Sequence, residues 1–418
     1  MTEIDIDATD YFRTTELYDD PYPYFEKVRA RCPVTREPFQ HVFMVTGYDE
    51  AIAAYHDQAA FSNCNSAIGP FARFPVPLEG DDVTDVIETY RDQLPFGDQL
   101  PSFDPPKHTA QRGLLMRLIT PKRLKENEEF MVVLADRQID GFHGAGACEY
   151  MGQYASPYTL LVIADLLGVP EEDHARFLEK LMRKEHLSLE HSPLSYLWDQ
   201  FATYVEECRR EPRDDVLTGL ALATFPDGSL PPVEDVTKIA SNLFAAGQET
   251  TARLLGSALK VIGDRPGVQQ QLRDDRDLVP VFVEEMLRLE SPIKGTFRLA
   301  KVPTTIAGTE IPAGSTVMVL PAAANRDPRE FESPDELRLD RTNVRQHIAF
   351  GHGIHTCAGA PLARAEAVVS LQRLLDRTED IRISEAHHGP AGDRHWPYSP
   401  TWMLRGLDEL HLEFTPVG

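Results

Sequence analysis

Cys357 stands in the run Phe350-Gly351-His352-Gly353-Ile354-His355-Thr356-Cys357-Ala358-Gly359. Glycines beside a sulfur let the backbone fold tightly around it and let a flat ligand approach. The Ala- and Leu-rich segment behind it starts a helix, and N–H groups at a helix N-terminus stabilise a thiolate. A thiolate that accepts such bonds suits iron ligation. The bland alternative is an inert buried cysteine. No Gly-Lys-Ser/Thr follows, so a phosphate-binding loop is excluded. His352 and His355 suggest a metal pair, but no third ligand at helical spacing supports it.

Two further groupings could do chemistry. Ala245-Ala246-Gly247-Gln248-Glu249-Thr250-Thr251 places an acid beside hydroxyls where small residues thin a helix. Such a site can open local i→i−4 bonds, hold a water and deliver protons to whatever lies against the helix. The alternative is a tight helix crossing with Glu249 facing solvent. Glu285 and Arg288 put opposite charges at i and i+3, on one helix face. Such pairs are usually solvated, and this one gains weight only from its position before Cys357.

These residues need rigid elements to hold them. Pro231 and Pro232 open, and Gly263 with Pro266 closes, a helix over Val233–Asp264, about 48 Å long at 1.5 Å per residue. A helix of that length crosses a core. Other helical patterns cover Pro21 to about Cys32, Tyr48–Tyr55, Pro121 to a stop at Gly141, Tyr154–Leu167, Glu171–Lys184, Ser195–Arg210 and Leu278–Glu290. A last one starts just after Cys357. Strand-like runs stand at His41–Thr46, Thr304–Ile306, Thr316–Leu320 and Leu410–Phe414, with a GTEIPAG turn between the second and third. The Ser62–Phe103 interval is Pro- and Gly-rich and carries Glu79, Asp81, Asp82, Asp85, Glu88 and Asp92. Its Asp82–Gln93 part could form an extra acidic helix, and a mobile solvated lid is the expected role, with a partner surface as the alternative.

With 42 Lys+Arg against 66 Asp+Glu, the 418-residue chain carries −24 at pH 7, a charge that disfavours nucleic acid and anionic membranes as partners. No segment reaches about 18 uninterrupted apolar residues, and the acidic start is unlike a secretory signal. Five scattered cysteines form neither a disulfide framework nor a zinc site. The chain reads as soluble and cytoplasmic. Its β pieces and helices interleave too closely for a clean domain boundary.

The three groupings, in this order, resemble the cytochrome P450 family in its soluble bacterial branch, from the DDPYPYFEKVRARCPV opening to the RGLDELHLEF close. The family's haem loop matches at Phe350, Gly353, Cys357 and Gly359. Its oxygen-activating helix matches at Ala246–Thr250. Its Glu-x-x-Arg pair is Glu285 and Arg288, completed by Arg338 or Arg341. The resemblance implies a mainly α fold with small β-sheets, a triangular helix-rich body holding haem between the long central helix and the cysteine-side helix. It also implies one domain spanning residues 1–418.

By the same resemblance Cys357 is the axial thiolate of a haem b, whose electron donation favours O–O cleavage. Phe350, Gly351 and Gly359 shape the haem loop, and His108, Arg112, Arg298 and His355 meet the propionates. Thr250 supports dioxygen activation, and Glu249 relays protons. The pocket-lining segments of the family fall on Phe71, Phe74, Phe96, Leu100, Asn242, Ala245, Ala246, Ile293, Phe297 and Trp402. That set favours a terpenoid-like, steroid-like or alkyl-aromatic substrate. Asn242 either bonds an oxygen at the substrate's far end or is satisfied by nearby backbone.

No flavin or nicotinamide segment is evident, so electrons come from outside. Lys107, Arg112, Arg117, Lys122, Arg123 and Arg364 suit an acidic ferredoxin with its reductase, unless half are ordinary surface charges. The expected protein is a monomeric O2-dependent haem-thiolate monooxygenase that hydroxylates or epoxidises a hydrophobic molecule. A peroxide-driven peroxygenase would typically lack the acid–threonine pair, and a non-catalytic haem-thiolate sensor would not need it.

Overall fold

The computed structural model describes residues 4–182 and 193–417. About half of the chain is helical, with small sheets, as the mainly α expectation holds. The described strands are β1 (Val34–Arg36), β2 (Phe43–Val45), β3 (Phe61–Ser62), β4 (Ala147–Glu149), β5 (Thr296–Ala300), β6 (Thr304–Ile306), β7 (Thr309–Ile311), β8 (Thr316–Val319), β9 (Thr378–Ile383) and β10 (His411–Pro416). The chain forms two compact units. One comprises Met1–His108, Glu284–Cys357 and Pro397–Gly406, and the other Thr109–Val283, Ala358–Trp396 and Leu407–Gly418.

The first unit is built on a five-stranded sheet in the order β1-β2-β8-β5-β3. β2 and β8 run parallel with Phe43 opposite Val317, and the other neighbours are antiparallel. Side chains alternate between the faces of a strand, and here both faces are buried. Phe43, Val45, Val317 and Val319 pack with Ala51, Ala54 and Tyr55 of the helix Tyr48–His56. Met44 and Met318 join Tyr11, Phe12, Tyr24 and Phe25 in the other cluster. β6 and β7 form a separate hairpin, so the GTEIPAG segment contains a strand rather than only a turn.

Arg91 ties down the acidic interval in this unit. A helix Thr84–Tyr90 runs into a 3-10 turn at Arg91–Gln93, close to the expected span. The buried Arg91 guanidinium meets Glu88 at 2.6 Å and Asp104 at 2.7 Å, and the Val83 N–H donates to the Lys301 carbonyl at 2.9 Å. Val83 and Ile87 sit against Leu94 and Leu299. The segment is pinned through Arg91, Val83 and Ile87.

The second unit centres on the helix Val233–Asp264, whose bounds match the expected ones. It packs on the helices Ser156–Leu166 and Pro193–Arg210 and on Ala360–Arg377, which in turn packs on Pro121–His143. Ser156–Leu166 is apolar almost all round, as a helix inside a core must be. β4, β10 and β9 close the unit as a three-stranded sheet.

One expectation needs correction. The helix from Pro121 does not stop at Gly141 but runs to His143, because Met131, Leu134, Ile139 and Phe142 are buried along it. One internal glycine costs only about 1 kcal/mol. The long helix does end before Pro266, as expected, and Pro266 itself stands in the first turn of a new helix, Pro266–Asp274. The helix from Glu171 is described to Leu181; Lys184 lies outside the described residues. Among the described residues, no helix is long and apolar enough to cross a membrane.

Candidate active site

The cysteine loop is a closed, glycine-dependent turn. The Gly351 N–H donates to the Ile348 carbonyl at 2.9 Å, and the Cys357 N–H donates back to the Phe350 carbonyl at 2.9 Å. Gly351 and Gly353 have φ of +67° and +72°, which only glycine adopts without strain. The Thr356 hydroxyl donates to the Gly353 carbonyl at 2.7 Å. His352 is joined to His56 by a 2.7 Å contact between Nδ1 and Nε2. That clamp fastens the loop to the helix Tyr48–His56, and the exposed Cys357 follows it.

A comparison of two substitutions tests this account. Gly351→Ala meets open space, so it should cost only the left-handed backbone strain, about 1–2 kcal/mol. A Cβ on Gly353 would also stand 2.7 Å from the Tyr55 carbonyl oxygen. Gly353→Ala should therefore destabilise clearly more in urea unfolding. Equal losses would refute the close approach.

Three basic side chains, His108, His355 and Arg298, also lie in this unit. His108 is buried, and its ring centroid is 4.0 Å from that of His355. Arg298, on β5, is buried, and burial lowers its pKa. Its Nη1 donates to the Phe297 carbonyl at 2.6 Å, and its guanidinium lies 5.2 Å from the Tyr55 ring centre. Among the described residues no carboxylate stands within ion-pair distance of Arg298. A buried, unneutralised guanidinium is a site for an anion.

Glu285 anchors a buried network in this unit. Its two oxygens meet Arg288 Nη2 at 2.8 Å and Nε at 2.7 Å, and Arg341 Nε lies at 3.2 Å. Both Glu285 and Arg288 are completely buried, so this is no solvated surface pair. Arg341 is the third member. Arg338 contributes only its backbone N–H, 3.0 Å from Glu285, while its side chain pairs with Asp340 and Glu332.

In the second unit, the middle of the long helix presents Ala245, Ala246 and Glu249 as exposed positions between two buried stretches. The helix is uninterrupted there, contrary to the expected opening of its bonds. The Thr250 hydroxyl instead donates to the Ala246 carbonyl at 2.7 Å, and the Thr159 hydroxyl donates to the Gln248 carbonyl at 2.9 Å. Ile163 passes close to Gly247, so the glycine does thin the helix. Glu249 is more than half exposed and pairs with Arg253 one turn on. Thr251 is buried.

A family model described as cytochrome P450 matches residues 176–379. Cytochrome P450 144 of Mycobacterium tuberculosis is 36% identical, with 97% of this chain and 91% of that protein covered. The cytochrome P450 monooxygenase PikC of Streptomyces venezuelae is 31% identical over 94% of this chain and 91% of its own. The structure of substrate-free CYP150A6 of Mycobacterium marinum superposes with a TM-score of 0.95 at 53% identity, covering 99% and 100% of the two chains. The chain belongs to the cytochrome P450 family.

The P450 is accordingly a monooxygenase whose cofactor is haem b. The first unit fits that group. Cys357 is an exposed thiol in a pinned loop, and the Arg298 guanidinium with His108 and His355 offers donors to two carboxylates. Arg112 stands one turn after His108 on the helix Lys107–Leu115 and is half-buried. Gly359 caps the helix Ala360–Arg377.

The residues expected to line the P450's pocket are distributed unevenly. Phe71 and Phe96 are exposed, Leu100 is buried, and Phe74 packs against the cluster of Val83 and Leu299. Phe297 is fully buried, 5.3 Å from Trp402 between ring centres, and Trp402 in turn meets Phe12 at 5.4 Å. These two therefore build an aromatic cluster. Ile293 bridges to Leu404.

Two features escaped sequence reasoning. The partnership of His56 with His352 spans most of the chain and leaves no local pattern. Glu366 closes the motif around Cys357; it is buried inside the second unit, and burial raises its carboxyl well above the usual range.

Proposed function

We propose that this P450 hydroxylates or epoxidises a hydrophobic, terpenoid-like, steroid-like or alkyl-aromatic molecule, working as a single catalytic domain and a monomer in the cytoplasm. Electrons come from an acidic ferredoxin and its reductase. The observation that carries the reading is the exposed Ala245–Ala246 surface followed directly by the Glu249–Thr250 pair.

Cys357, His108, Arg112, Arg298 and His355 would hold the haem, which would supply the iron chemistry of dioxygen activation. The chain's own residues supply protons and shape. Glu249 is open to solvent and recharges there, and release from Arg253 frees its carboxyl to pass a proton inward. The Thr250 hydroxyl donates its hydrogen to the Ala246 carbonyl and so keeps its oxygen lone pairs available to accept the relayed proton's hydrogen bond. Ala245 and Ala246 offer apolar surface with little bulk.

The ferredoxin assignment is supported by cations in an otherwise acidic protein. Arg117 donates to the Thr224 carbonyl and Lys122 pairs loosely with Glu126, so both remain at the surface of the second unit with Arg123. Lys107 lies over the Phe103 ring.

Reconstitution of the haem-loaded protein with a ferredoxin pair, against peroxide alone, tests the reading. Product should form from NADPH and O2 through the ferredoxin, more slowly at high salt. Thr250→Ala should cut product by about 10²-fold and divert electrons to peroxide. Turnover by peroxide alone would establish a peroxygenase instead. Reduction indifferent to salt would remove the acidic partner.

A further inference from the structure

One side-chain nitrogen in the long helix is buried without a hydrogen-bond acceptor among the described residues. The Asn242 Nδ2 is buried and makes no hydrogen bond among the described residues. Thr237 and Ser241, on the same helix, also bury hydroxyls. A hydroxyl there can rotate onto the carbonyl one turn back, but an Asn amide in mid-helix has no such remedy. Burying an amide N–H without an acceptor is unfavourable, so the position calls for an acceptor from outside the chain.

Helical geometry places that acceptor. Successive residues turn by about 100°, so Asn242 and Glu249 share nearly one bearing, with Ala245 and Ala246 between them. Asn242 precedes Thr250 by about 12 Å along the axis at 1.5 Å per residue. The small exposed alanines leave room for a flat apolar body over that distance.

We propose that Asn242 sets substrate specificity by donating its amide N–H to an oxygen on an otherwise apolar substrate. That oxygen lies at the end opposite the carbon to be oxidised, about 12 Å from the level of Thr250. The class is an elongated, rigid hydrocarbon skeleton carrying a terminal ketone or similar acceptor. This assignment rests on the monooxygenase reading above and deepens it.

The test uses the haem-loaded full chain and two probes that differ by one oxygen, 5α-androstane and 5α-androstan-3-one. Affinity is read from the haem spin-state shift and by calorimetry. The ketone should bind about tenfold more tightly than the hydrocarbon. Asn242→Leu, which keeps the volume, should erase that difference. Asn242→Asp, which has no amide N–H, should lose the ketone preference as well. The ketone's oxidation product should carry its new oxygen at the far end of the skeleton. Equal binding of both probes, binding of neither, or oxidation beside the ketone overturns the assignment alone, provided the carbon monoxide difference spectrum still reports a thiolate-ligated haem. Loss of that spectrum in the unaltered protein overturns the monooxygenase reading and the assignment with it.

Discussion

Glu285→Ala is expected to destabilise the folded protein by about 3–5 kcal/mol, a loss readable in urea unfolding at unchanged m. The carboxylate accepts from Arg288 at both oxygens, from Arg341 at 3.2 Å and from the Arg338 backbone at 3.0 Å. Truncation leaves two buried guanidinium groups with carbonyl partners alone. Arg288 would keep those of Asn325 at 2.9 Å and Pro334 at 2.6 Å, and Arg341 that of Glu332 at 2.7 Å. Carbonyl dipoles solvate a cation but do not neutralise it, so like charges would face each other in a low-dielectric interior. Arg341→Ala should be costly by the same logic, because it strips one donor and leaves the Glu332 and Glu336 carbonyls short. Arg338→Ala should be close to neutral, since its side chain makes only exposed ion pairs. Its contribution to Glu285 is a backbone N–H that alanine retains. Equal effects of the Arg338 and Arg341 substitutions would refute this division of labour.

The same pair of arginines shows where sequence stops being informative. Both stand in the right stretch before the cysteine loop, and choosing between them depends on which side chain the fold turns inward. That is decided by the turns at Ser333 and Glu336, whose carbonyls receive Arg341. Local chemistry was far easier to read. The Val233–Asp264 helix announces its ends with prolines and a glycine, and its amphipathic interior does the rest. The loop from Phe350 to Cys357 is contiguous, so its glycines and sulfur declare themselves together. β5 went unrecognised because Thr296–Ala300 is buried along nearly its whole length and lacks the alternation that marks a half-buried strand. The His56–His352 clamp was invisible for another reason: neither imidazole has a meaning until the fold brings the two together. The small acidic helix at Thr84–Tyr90 was legible as a helix, but its anchoring through Arg91 and Asp104 was not.

Cys357→Ser should abolish the thiolate signature in the carbon monoxide difference spectrum and reduce monooxygenation below detection. The argument starts from the other cysteines. Burial pushes the thiols of Cys64 and Cys148 up to about 12, so neither presents a thiolate at neutral pH. Cys208 is buried as well, and Cys32 is half-buried with its sulfur 3.7 Å from the Thr309 hydroxyl. Cys357 alone among the five is exposed, and its loop holds it through bonds made by Phe350, Gly353 and Thr356. A serine fits that loop sterically, because it is smaller than cysteine and retains the backbone bond to Phe350, and the Thr356 bond to Gly353 is untouched. The substitution should therefore leave the apoprotein folded, with an unchanged urea midpoint, while removing a soft, readily ionised ligand for one that stays protonated. Alkylation supplies a second readout. In the apoprotein Cys357 should be the first thiol to react with iodoacetamide, and haem should protect it; Cys64→Ser and Cys148→Ser should alter neither the labelling order nor the spectrum. A Cys357→Ser protein that keeps an unaltered thiolate signature, or wild-type labelling at Cys357 that haem does not slow, would place the iron on another residue.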